Sequence, residues 1–216
     1  MKKKILIIGA SGHAKVIIDI VELEGKYAIG GILDKNAPKG ITFCGYEILG
    51  RDDDSAQFEG RYAGAIIAVG DNFMRSIVAA KVGRHLSFVS AIHPSATIAR
   101  DAKIGPGTVI MAGARVNPGC AIGEHCILNT GSSLDHDSTL DDFASLAPGA
   151  ITGGNCHIGE QSAISIGAVL RHGITIGQDT VVGAGALVLE NIPANVVAYG
   201  TPARTIRERN RGDKYL

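Results

Sequence analysis

Tryptophan is absent and aromatic residues make up 5% of the 216-residue chain, while glycine reaches 29, a balance unlike an ordinary globular core and suited to a repeat with tight turns. Net charge is also lacking. Twenty-one Lys plus Arg residues balance 21 Asp plus Glu, which excludes an overall field that would draw the chain to nucleic acid or an anionic membrane. Long apolar runs are missing too: Ile5 to Ile8 is too short for the apolar segment of an export signal, and nothing approaches the roughly 20 residues that span a bilayer. A soluble, cytoplasmic protein is expected. The four cysteines (Cys44, Cys120, Cys126, Cys156) have no CxxC spacing, so neither a zinc knuckle nor a redox pair is indicated, and reduced thiols are the default.

What is present is a period of six. Beginning at Ile92 and ending at Val188, 16 of 17 successive sixth positions are aliphatic, Thr152 being the exception. Four residues after each, 15 of 17 positions are Ala, Ser, Thr or Cys, which places Cys120, Cys126 and Cys156 in a column of small packing residues. A helix repeats near 3.6 and a strand at 2, so a strict six means short strands with a corner after each. Three such strands close one triangular coil, and stacking sets residue i against residue i+18, burying the aliphatic rows.

The segment before the repeat reads differently. An apolar strand, Ile5 to Ile8, runs into Gly9, Ala10, Ser11, Gly12 and His13, then into a helix carrying Val16, Ile17, Ile20, Val21 and Leu23. Further strands are expected at Ile29 to Leu33, ending at Asp34, and at Ala65 to Val69, ending at Gly70-Asp71-Asn72. Glycines at a strand-to-helix turn let backbone N–H groups approach phosphate, and an acid about twenty residues later, here Asp34, can bind a ribose hydroxyl. The dinucleotide signature is incomplete, since Ile7 stands where its first glycine would be, and about 90 residues supply only half of a dinucleotide fold. A nucleotide-sugar site is therefore expected rather than an NAD site, with a glycine turn serving only strand-helix packing as the plainer reading. The chain divides into a Rossmann-like α/β domain at 1–88, a β-helix at 89–190 and a tail at 191–216.

Within the repeat, His136 follows the inward Leu134 by two residues, at a corner where its imidazole should point outward. Histidine titrates in the range a general base needs, and a neighbouring carboxylate, Asp137 first and Asp135 second, would fix its tautomer and raise its basicity. Asn129 is a candidate to hold substrate. His93, His125, His157 and His172 read as ordinary solvated histidines.

The hexapeptides IGPGTV, IGEHCI, IGEQSA and IGQDTV resemble those of the hexapeptide-repeat transferases, which implies a left-handed parallel β-helix and a homotrimer with active sites between subunits. GASGHAK at 9–15, LDK at 33–35, AVGDN at 68–72, ILNTGSSLDHD at 127–137 and AYGTPAR at 198–204 together resemble the bacterial sugar O- and N-acetyltransferases of sialic-acid and bacillosamine pathways. That resemblance implies His136 as base with Asp137 behind it. It also implies Gly12, His13, Asp34, Lys35 and Asn72 near a nucleotide-sugar, and Gly154, Ile166 and Ala184 along acetyl-CoA, with the tail contributing. Where some N-acetylating members have a second histidine in contact with acetyl-CoA, this chain has Ser145. The expected reaction is acetyl transfer to the amino group of a nucleotide-linked amino sugar, such as a UDP-4-amino-4,6-dideoxy sugar for surface glycan synthesis, without a metal. Sugar O-acetylation is the close alternative. A zinc β-helix hydratase, for which His136 and His172 share a column, and a non-catalytic nucleotide-binding scaffold are the more distant ones.

Overall fold

The computed structural model describes residues 2–215. Its N-terminal domain is a five-stranded sheet in the order β3-β4-β2-β1-β5, formed by β1 (Lys4–Ile8), β2 (Ala28–Leu33), β3 (Thr42–Phe43), β4 (Tyr46–Gly50) and β5 (Ala65–Ile67). Strand β1 lies between β2 and β5 and parallel to both, and is apolar throughout its buried length because it is covered on both faces. Helix α1 (Gly12–Glu24) buries Ala14, Ile17, Ile18, Ile20 and Val21, and closes at Gly25 in a left-handed cap. Val16 and Leu23, expected in its apolar stripe, are exposed, and Ile18 takes the place in the core. The short β3–β4 hairpin and helix α2 (Asn72–Val82) have no counterpart in the sequence expectations.

From Ala91 to Val188 the chain forms the left-handed parallel β-helix. Two-residue strands stack into three faces, each residue pairing with the one eighteen further on: Arg115 with Ser133, Ala121 with Thr139, Ile127 with Ser145. The second residue of each strand points inward, so Ile110, Leu128, Leu146, Ile164 and Val182 form one buried row, and the small column with Cys120, Cys126 and Cys156 fills the space between rows. These three thiols are almost wholly buried, and burial pushes the Cys126 thiol up to about 12. That leaves them as packing groups rather than nucleophiles.

The last coil is shorter. Val181 pairs with Val197, sixteen residues on, and an antiparallel hairpin, Val196–Gly200 with Ala203–Glu208, caps the stack.

The two domains meet through an apolar cluster that joins α1 to Ala91, Val109, Met111 and Ile127, and along a polar seam centred on α2. Arg75 on α2 is 1% exposed and donates to the carbonyls of His125, Phe143, Val69 and Gly70 and to Asn72 Oδ1, at 2.7–3.0 Å. The four carbonyls lie at corners or loops and lack a ladder partner, and the fifth acceptor is the side-chain amide of Asn72 on α2, which is how a buried guanidinium without a carboxylate is satisfied.

Candidate active site

The corner that carries His136 joins Ser133–Leu134 to Thr139–Leu140. His136 Nδ1 lies 2.9 Å from Asp137 Oδ2, and both side chains are about half exposed. Since an ionised carboxylate only accepts, the Nδ1 proton points at Asp137 and the Nε2 lone pair is left free. That hydrogen bond is the main effect that holds the imidazole above its usual pKa; burial opposes it, and the charges of Asp135 and Asp137 add to it.

Asp135 has a different task. Its carboxylate accepts from Asn117 Nδ2 and from the His136 backbone N–H, at 2.5 and 2.8 Å, which keep it below the usual carboxylate range. The Asp135 N–H in turn donates to Thr152 Oγ1 at 3.0 Å. In the equivalent place one coil earlier, the Asn117 N–H bonds to the backbone carbonyl of Leu134. Thr152, the one break in the aliphatic row, therefore replaces a ladder bond with a side-chain bond directly beneath the histidine. The sequence signalled this residue by its irregularity, although no role had been expected for it.

Two glycines make room for the pair. A Cβ on Gly154, one coil on from His136, would overlap the imidazole, and one on Gly119, one coil before Asp137, would overlap the carboxylate. Gly154 thus stands against the histidine, at a corner away from Ile166 and Ala184.

A groove of about 700 Å³ lies elsewhere, between the N-terminal domain and the β-helix face built from Ile127, Ser145, Ala163 and Val181. Gly12, His13, Asn129, Ser145, Ile166 and Ala184 all line it, so residues expected around the sugar and around acetyl-CoA share one wall. Ser11 gives α1 no side-chain cap, which leaves first-turn N–H groups at Gly12 and His13 beside this space. His13 is pushed down to about 4 by burial and by the Arg75 charge, so its ring is neutral at pH 7.

Asp34 and Lys35 line a separate cavity of about 210 Å³ with Gly9 and Asn36. The Asp34 carboxylate accepts from the backbone N–H groups of Ala10, Asn36 and Ala37 at 2.7–2.8 Å, so it ties the glycine turn to the end of β2. Asn72 departs from its expected place. It is 1% exposed, and its amide donates to Ser145 Oγ and to the carbonyls of Gln161 and Ser162, so it belongs to the seam rather than to an open sugar site. Among the described residues of the 191–216 tail, Tyr215 reaches the groove.

Among the described residues, no three His, Cys, Asp or Glu side chains are grouped to hold a metal ion, and Gly154 separates His136 from His172 along their column. No helix among them is long and apolar enough to cross a membrane.

Residues 4–82 match the PglD N-terminal domain family, and residues 88–191 match the GMPPB C-terminal domain family. PerB from Caulobacter crescentus, solved with CoA and GDP-perosamine, is 34% identical over 94% of this chain and 97% of its own, with a TM-score of 0.90. The acetyltransferase domain of PglB from Neisseria gonorrhoeae, solved with acetyl coenzyme A, is 33% identical over 95% of this chain and 100% of its own, with a TM-score of 0.88. A UDP-N-acetylbacillosamine N-acetyltransferase of Bacillus subtilis is 36% identical over 111 residues, a match that spans 49% of this chain and half the length of that relative. A galactoside O-acetyltransferase of Escherichia coli is 54% identical over 37 residues, 17% of this chain and 18% of its own.

Proposed function

The chain belongs to the family of hexapeptide-repeat sugar N-acetyltransferases, and from that premise we propose that it moves acetyl from acetyl-CoA to the amino group of a nucleotide-linked amino sugar. The observation that carries this reading is the His136–Asp137 pair with Nε2 left free. As the sugar amine attacks the thioester carbonyl, His136 Nε2 takes its proton, Asp137 stabilises the imidazolium, and the C–S bond breaks to release CoA, which leaves as the thiol once protonated. No acyl-enzyme is required.

His136 and the groove occupy different corners of one β-helix, and the face between them presents Thr97, Arg115, Ser133, Ile151, Val169 and Leu187. Ile151 and Val169 are 45% and 41% exposed and make an apolar strip on this face. Three copies packed through this face would bring His136 of one against the groove of the next, which supports a homotrimer with shared sites. In that arrangement Gly12 and His13 at the helix N-terminus take the nucleotide phosphates, Asp34 and Lys35 border the same turn, Asn129 stands at the corner facing the acceptor, and Ile166 and Ala184 flank the acetyl-CoA arm.

The bacillosamine-type motifs favour a UDP-4-amino-4,6-dideoxy sugar, whereas PerB was solved with GDP-perosamine. Sugar O-acetylation remains a second reading because of the short match to the galactoside enzyme. Acetyl-CoA turnover against UDP-, GDP- and dTDP-linked 4-amino and hydroxyl acceptors, read by product mass, tests both. A gain of one acetyl on an amino acceptor is expected. Turnover confined to hydroxyl acceptors would replace the first reading with the second.

A further inference from the structure

The segment after the terminal hairpin folds back across the β-helix and is fastened there. Arg209, 4% exposed, pairs with Asp179, and its guanidinium also donates to the Asp213 carbonyl at 2.9 Å. Gly212 packs on the Phe73 ring of α2, over which Arg211 also lies, and the Tyr215 ring sits 5.4 Å under the Arg209 guanidinium. This strap delivers the Tyr215 side chain into the groove wall beside Ser145.

The hydrogen bonds there define which proton is free. Tyr215 Oη accepts from the Asn72 backbone N–H at 2.9 Å, and Ser145 Oγ accepts from Asn72 Nδ2 at 3.1 Å. Asn72 thus fills an acceptor site on each hydroxyl, and Ser145 Oγ in turn bonds to the Tyr215 phenol oxygen, which leaves the phenol's own proton unclaimed. The wall beyond Ser145 is small and apolar across the next coils, with Ala163, Ile164, Ile166, Val181 and Ala184. Coils stack about 4.8 Å apart, so this stretch runs roughly 10 Å with little to satisfy the hydroxyls of a sugar ring. It suits an extended, mostly apolar arm that carries an amide or thioester carbonyl at one end.

Building on the acetyltransferase reading, we propose that Tyr215, seated by the strap and aligned with Ser145 through Asn72, donates a hydrogen bond to an amide carbonyl of the CoA arm and sets affinity for the acyl donor. The phenol takes no proton in the reaction and is a donor-binding group.

Titration calorimetry with CoA, together with KM for acetyl-CoA and for the sugar acceptor, tests this on the full chain. Tyr215→Phe keeps the ring under Arg209 and removes only the hydroxyl. Its Kd for CoA and KM for acetyl-CoA should rise roughly tenfold, with the acceptor KM unchanged. Ser145→Ala should weaken CoA in the same sense, and the double variant less than the product of the two. Unchanged CoA affinity in Tyr215→Phe, or an effect on the acceptor KM instead, would overturn the assignment while leaving the acetyltransferase reading intact. Wild-type protein that bound no CoA would overturn both.

Discussion

His125 and His136 stand at neighbouring corners of the same β-helix and are driven in opposite directions. His125 is 2% exposed, stacked on Phe143 and met edge-on by Phe88, and burial with the nearby Arg75 charge pushes it down to about 4. His136 is open to solvent, bonded to Asp137 and held above its usual value. The two corners fold alike, with the left-handed position taken by His125 in one (φ 54°) and by Asp137, the neighbour of His136, in the other (φ 56°), so the shape of the corner does not by itself decide their chemistry. What decides it is which corner the N-terminal domain covers: α2 and Phe88 seal one, and the other stays free to receive a substrate.

That contrast can be broken from either side, and His136→Ala should do so most severely. Loss of the base should lower turnover by about 10²–10⁴-fold while acceptor binding persists, and a variant that turns over like wild type would remove His136 from the mechanism. Next in size is Ile151→Glu combined with Val169→Glu on the face between the two corners. Sedimentation should show dissociation into monomers, with activity falling in step because groove and base then sit on separate, unpaired corners. Active monomers would show instead that one chain holds a complete site.

Asp137→Asn sharpens the comparison without destroying it. A base acts only when unprotonated, so the acid limb of the pH profile of kcat/KM reports the histidine. Losing the carboxylate that raises it should move that limb to lower pH and reduce the plateau. A limb that stays in place would assign it to another group.

The smallest effect concerns His125. Its folded pKa lies below the ordinary 6.5, so between those values the unfolded chain binds more protons and stability drains away as pH falls from about 6.5 toward 4. His125→Asn should lower the thermal midpoint at pH 7 through lost stacking, yet flatten its decline from pH 7 to 5 by a few degrees. His13, also pushed to about 4, keeps part of the decline in place. An unchanged slope would show that His125 does not carry this linkage.

How much of this could be read from the residues follows the same division. The β-helix was legible because every coil repeats one local rule, and the exposure of His136 followed from its phase after Leu134. Even Thr152 announced itself as an irregularity. The seam was not legible. Arg75 binds oxygens from residues 69 to 143, and nothing periodic marks such a cluster. The family resemblance carried by AVGDN implied Asn72 near the sugar, whereas its place at the start of α2 turns the side chain into the interface. His125 was expected in solvent for a related reason, since its cover comes from Phe88 and Phe143 rather than from its own strand. Tyr215 reaches the groove only because the Arg209–Asp179 pair folds the tail back.

The unbroken eighteen-residue pairing also makes the β-helix a counting device. One inserted residue would turn every later inward row toward solvent, and six would carry His136 to a different corner. Between the histidine and the groove, chain length can change cleanly only by whole coils. Room to change what this chain recognises therefore lies in the parts outside the count, the α/β domain and the strap.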